Sequence, residues 1–289
     1  MKAGLATLGA AMLAGCAAAP SRIEVAPLFA DASFAPPADL LPPEEIFAIS
    51  PSMREYLAQE ISRRVVHDGG PQGLVEALRG ELRIDYDAAE TRTAAQTFEA
   101  RAGNCLSLVI MTAAFARQLG IPVTYRSVYG YDTWSRVGGF AVLSGHVNLM
   151  LGPHQPDVLV FEHSKGPRSL IVDFVPPEEL GRQYAREIEE TTVVAMFYNN
   201  RAVETLLDGE VGHAYWWARA AMMADPGFLS AYNTLGLIYR HHGDPAQAER
   251  VLRAALGCDK GARWTPAELT EVVNELLAEA PKPQKVYGT

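Results

Sequence analysis

The sequence predicts an α+β domain, with helices packed on an antiparallel sheet, followed by an all-α module. Two observations carry this reading. Between Phe98 and Pro122 a buried helix opens on a cysteine, and strand-like runs follow it. After Pro176-Pro177 the apolar spacing turns helical and repeats every 34 residues. A chain of 289 residues suits one or two domains with short flanking segments. Its 48% hydrophobic share and mean hydropathy of −0.01 supply ample material for a core. A net charge of −9 argues against nucleic-acid binding and offers no basic footprint for anionic lipid. Three cysteines are too few for a disulfide framework.

The chain divides at composition shifts into residues 1–16, 17–50, 51–181, 182–280 and a tail over 281–289. Lys2 and the apolar run Ala3 to Leu13 form a leader too short to span a membrane. Leu13-Ala14-Gly15-Cys16 closes that leader and resembles the bacterial lipoprotein cleavage box. The resemblance implies that Cys16 is lipid-modified and becomes the first residue of the mature protein. Ala17 after it implies anchoring at the periplasmic face of the outer membrane, by acyl chains rather than a spanning helix. Residues 17–50 are rich in Ala and Pro, with Pro36-Pro37 and Pro42-Pro43, and read as a semi-extended tether.

Ser50-Pro51 starts a helix by cap and first-turn chemistry. Met53, Tyr56, Leu57, Ile61 and Val65 form its apolar face, and His67-Asp68-Gly69-Gly70 ends it. His67 reads there as a polar cap. A second helix over Gln72 to Arg79 leads to extended Leu82 to Tyr86.

Asn104 is a good N-cap, and Leu108, Val109, Thr112, Phe115, Ala116 and Leu119 recur at helical spacing behind it. Gly120 and Pro122 stop that helix. Cys105 therefore stands in the first turn, where the helix dipole and free N–H groups favour a thiolate. A small packed core cysteine fits the same stretch equally well. Val123 to Tyr129 has strand character, and Gly130 to Gly139 reads as a loop carrying Tyr131, Trp134 and Arg136. Ser144 to Leu151 alternates, placing His146 and Asn148 opposite Val147, Leu149 and Leu151. Ser169 to Val175 is a second strand-like run with Asp173 in its middle, a costly place for an acid without a partner. His154 and His163 are alternatives to His146 as a base, but a strand holds His146 more rigidly. Asn148 and Gln96 are possible extra donors to a developing oxyanion.

The Gly-Asn-Cys helix entry, the Leu-Gly-Ile-Pro exit, the Gly-His strand and the Val-Asp-Phe strand come in one order. Together they resemble the transglutaminase-like branch of the papain-like cysteine enzymes, over roughly residues 50–180. The resemblance implies Cys105 as nucleophile, His146 as its base and Asp173 as orienter of the histidine. The gap between His146 and Asp173 is long enough for an inserted strand over Val158 to Phe161.

Beyond Pro176-Pro177, Tyr198-Asn199 recurs as Tyr232-Asn233, Gly209 as Gly243, Ala214 as Ala248 and Arg219-Ala220-Ala221 as Arg253-Ala254-Ala255. This period and its small residues resemble the tetratricopeptide repeat. Helix is expected from about Arg182 onward. Thr265-Pro266 opens a last helix that reads as a cap. Two repeats are few for independent stability, so the module should lean on the preceding domain. Cys258 reads as a packing residue.

The resemblance implies an envelope-anchored cysteine peptidase or transamidase acting on a peptide or protein amide through a thioester. It calls for no cofactor, and the histidines show no metal-ligand spacing. The repeats would dock a protein partner or the substrate. A non-catalytic scaffold with the same fold is the alternative.

Overall fold

The computed structural model describes residues 24–37, 40–80, 82–137, 140–153, 169–174 and 184–258. Cys16 and its leader, His154, His163, the expected strand over Val158 to Phe161, Pro176-Pro177 and the helix expected at Thr265 lie outside the described residues.

The fold is mixed and mostly helical. Helix α1 (Pro43–Ile46) is one turn long, and α2 (Pro51–Tyr56) begins where Ser50 Oγ accepts the Met53 N–H. A π turn over Leu57–Ile61 joins α2 to α3 (Ser62–Asp68), and the Ser62 hydroxyl bonds the Leu57 carbonyl across it at 2.8 Å. Met53 and Ile61 are fully buried from this face, as its spacing requires. Helix α4 (Gly70–Gly80) follows, somewhat longer than its apolar residues alone mark. Of the extended residues after it, only β1 (Asp85–Tyr86) pairs, in parallel with β2 (Ala102–Gly103) around α5 (Ala94–Ala100). Helix α6 (Cys105–Gln118) is buried along nearly its whole length and forms the centre of the core.

Four strands lie in the order β5-β4-β3-β6, all pairs antiparallel. Strand β3 (Val123–Val137) and β4 (Phe140–Leu151) make one long hairpin with a register shift between Val128 and Thr133. The residues expected as a loop over 130–137 are thus strand. Pairing with β4 decides this stretch, and no local pattern in the sequence marks it. Strand β5 is short (Leu170–Val172) and β6 (Tyr184–Ile188) pairs with β3. Strand β6 corrects the expectation of helix from Arg182, and the sheet reaches Ile188 before helices begin. Five residues of mixed polarity do not separate the two periods on their own.

Two helical hairpins follow: α7 (Glu190–Leu207) with α8 (Val211–Ala224), and α9 (Leu229–His242) with α10 (Pro245–Cys258). The equivalent turn residues Gly209 and Gly243 both have left-handed backbone, φ 86° and 90°, which glycine adopts without a Cβ penalty. The module is fastened to the sheet domain. Arg117 at the end of α6 reaches Glu190 and the Tyr125 hydroxyl while its guanidinium lies 4.2 Å over the Phe47 ring.

The segment expected to be a tether is, from Glu24, packed structure. It forms two short 3₁₀ turns (Ala26–Leu28 and Asp31–Ser33) laid across α8, α9 and α10. Val25, Leu28 and Phe34 are buried, and the Phe34 ring stacks on Tyr215 at 3.9 Å. Helix side chains satisfy its backbone. Tyr239 Oη and Gln247 Nε2 donate to the Leu28 carbonyl at 2.8 and 3.0 Å. Tyr215 Oη accepts from Ala30 N–H at 2.9 Å and donates to Asp31 Oδ1 at 2.6 Å, which also takes Arg219 Nε at 2.9 Å. Further along, Tyr198 Oη donates to the Leu41 carbonyl at 2.7 Å, and Ile46 and Phe47 enter the core. This strap binds the two parts of the fold together. Its prolines remove donors that the groove would otherwise have to satisfy.

Candidate active site

Cys105 is delivered by a capped helix start. Asn104 Oδ1 accepts both the N–H and the hydroxyl of Ser107 at 2.9 Å. A Cβ on Gly103 would lie 2.8 Å from Ser107 Cβ and 3.1 Å from Thr97 Cγ2, so glycine lets the loop pass tightly over that first turn. Cys105 emerges half-buried, as a free cysteine packed at the edge of the core. The positive end of a 14-residue helix lies beneath it.

His146 comes from β4, opposite Val128 of β3, and is 5% exposed. Cys105 is its interacting neighbour on one side. On the other, Nε2 lies 2.8 Å from Asp173 Oδ1, which leaves Nδ1 as the ring nitrogen available to the thiol. Asp173 sits immediately after β5 rather than within it. Its second oxygen, Oδ2, accepts from Asn148 Nδ2 at 2.8 Å. The pairing of β4 with β5, Leu149 opposite Val172, sets the two strand ends side by side and brings the acid to the histidine. The three residues singled out from the sequence are therefore in contact as Cys105–His146–Asp173.

The electrostatics follow from burial and partners. Burial opposes a charged imidazole, but the Asp173 hydrogen bond, the Cys105 bond and both neighbouring charges outweigh it and raise His146 to about 9. Because the folded value is raised, the imidazolium stabilises the fold in full below pH 6.5, and this contribution fades as pH rises through about 9. At ~1.4 kcal/mol per unit the effect is on the order of 3 kcal/mol. Asp173→Asn is therefore expected to lower the unfolding free energy more at about pH 6 than at about pH 10, read by urea titration. Equal losses at the two pH values would contradict the pairing.

The other candidates stand elsewhere or are committed. The Asn148 amide nitrogen is spent on Asp173, and its buried Oδ1 has no hydrogen-bond partner among the described residues. Gln96 closes a capping box on Thr93, accepting that residue's N–H at 3.0 Å. His67 lies exposed at the end of α3 beside Asp68. Among the described residues, no set of three or more His, Cys, Asp or Glu converges as a metal site.

Residues 57–152 match the model of the transglutaminase-like superfamily. A transglutaminase-like domain thus spans α3, α6 and the β3–β4 hairpin. It includes Cys105, His146 and Asn148 and stops before Asp173. No curated protein and no solved structure matches the chain. The match lies within the sheet domain and stops before β5 and β6, and the helical hairpins lie beyond it. Sequence reasoning missed two polar residues beside the transglutaminase-like site, Thr91 and Glu204, which share hydrogen bonds next to Asn104. Thr91 is 1% exposed, and no periodicity marks it.

Proposed function

We propose that the transglutaminase-like domain is a cysteine amide hydrolase or transamidase acting on a peptide or protein amide. The observation that carries the reading is the His146 imidazole held between Cys105 and Asp173 at the start of α6. The Cys105 sulfur attacks the amide carbonyl, forming a C–S bond. The oxyanion lies against helix-start N–H groups. Collapse breaks the C–N bond, and His146 gives its proton to the departing amine. Water or a second amine then attacks the thioester carbonyl while His146 takes its proton, and the C–S bond breaks to return the Cys105 thiolate and release the acid or the new amide. Asp173 keeps the ring oriented and its charge balanced throughout.

The helical hairpins, their 34-residue spacing and their paired turn glycines support reading this region as two tetratricopeptide repeats that dock substrate or a protein partner. The leader and Cys16 support a lipoprotein at the periplasmic face of the outer membrane.

One experiment tests both parts. Purified protein from a native-type host is labelled with iodoacetamide across the pH range and read by peptide mass spectrometry. Cys105 is expected to stay reactive as pH falls toward neutrality, and His146→Ala is expected to slow it. An unchanged rate in His146→Ala would leave the scaffold reading. The same spectra should show the mature chain starting at an acylated Cys16. An unmodified N-terminus elsewhere would sink the anchor.

A further inference from the structure

The helical module reaches the cysteine helix through a chain of hydrogen bonds that the reaction just described does not use. Glu204 on α7 accepts the Thr91 N–H at 2.8 Å on Oε1. Thr91 Oγ1 accepts two amides, Asn104 Nδ2 at 2.8 Å and Asn200 Nδ2 at 3.1 Å. A hydroxyl oxygen has two acceptor sites, so both of those on Thr91 are filled. With its nitrogen committed to Thr91, the Asn104 amide can present only Oδ1 to Ser107, which is the orientation that caps α6 one residue before Cys105. Arg201 Nη1 holds the other Glu204 oxygen at 2.8 Å, and Arg92 N–H closes the cage on Ser107 Oγ at 2.9 Å.

The internal repeat supplies an independent argument. Thirty-four residues on, the positions of Asn200, Arg201 and Glu204 hold Thr234, Leu235 and Ile238 in α9. Leu235 and Ile238 are fully buried apolar residues. Helix α7 thus places an amide, a guanidinium and a carboxylate where the same helix in the next unit has none. Repeat packing has no need of them. They face Thr91 and the loop beside the cysteine helix. A connected and saturated polar network is rigid, whereas a partly satisfied one would be costly.

We propose that Glu204 is a positioning residue for Cys105, acting through Thr91 and Asn104, so that the helical module completes the site. This rests on the reading of Cys105 as the nucleophile. The full chain is assayed by the pH profile of iodoacetamide labelling at Cys105, with urea melts alongside. Glu204→Ala and Thr91→Val are each expected to slow Cys105 labelling at neutral pH roughly tenfold and to move the profile to higher pH. Thr91→Ser keeps the hydroxyl and is expected to restore the wild-type profile. Thr205→Val removes a hydroxyl bonded, among the described residues, only to its own helix, at the Arg201 carbonyl, and is expected to leave the profile unchanged. If Glu204→Ala and Thr91→Val lower stability while the profile stays wild type and His146→Ala still slows labelling, the brace is structural only and the proposal fails. A profile indifferent to His146→Ala as well removes the nucleophile and the brace together.

Discussion

Replacing Cys105 by serine is expected to leave the melting behaviour close to wild type and to reduce amide hydrolysis or transfer by at least about a thousandfold. The change is one atom at a half-buried position, so packing survives. What is lost is the attacking species, because a serine hydroxyl beside a protonated imidazole is a far weaker nucleophile than a thiolate. His146→Ala is expected to cost about as much, and the double variant no more than either single one, since the groups act as a unit. Asp173→Asn should cost less, because an amide still reaches the ring but no longer balances its charge. It also places two amides together, since Asn148 now donates to Asp173 Oδ2. The measurement is product release from a panel of peptide amides, with ammonia or amine as the readout. Turnover in Cys105→Ser within a few-fold of wild type would end the proposed mechanism.

The second large effect concerns the strap. Phe34→Ala is expected to lower the unfolding free energy by about 3–5 kcal/mol, the usual loss for truncating a buried aromatic side chain. Phe34 is 6% exposed and stacked within 8° of parallel on Tyr215, with Tyr239 and His242 completing its surroundings. Asp31→Ala should add to this, since it leaves the Tyr215 hydroxyl and Arg219 without their shared acceptor. Val66→Ala, at an 87% exposed position, should change stability by no more than about 0.5 kcal/mol. Urea midpoints decide the matter. A Phe34→Ala protein as stable as Val66→Ala would mean that the strap is not part of the cooperative fold.

Much of the site was legible because its signals are local. An Asn cap, an apolar stripe and a Gly-Pro stop define α6, and Cys105 falls in its first turn by counting. His146 and Asp173 were legible as polar residues inside strand-like runs, where burial demands a partner. The strap was not, because an Ala- and Pro-rich stretch has no period and its partners lie in α8, α9 and α10. Strand character over 130–137 depends on a neighbour in β4, and a five-residue edge such as β6 is defined by β3. Glu204 on a helix surface looks like any solvated acid until Thr91 is set against it. The contacts that escaped are those whose meaning is supplied by a distant part of the chain.

The strap also bears on the order in which this protein is able to fold. Its bonds span 157 to 219 residues, so the segment waits for helices that come much later in the chain. Closing a loop of that size costs about 5 kcal/mol on the logarithmic rule, which no short-range contact repays. The sheet and α6 contain nearer pairings and can form beforehand, while the strap cannot complete its contacts until α10 exists. Its docking is then a late, slow step that follows the formation of α10.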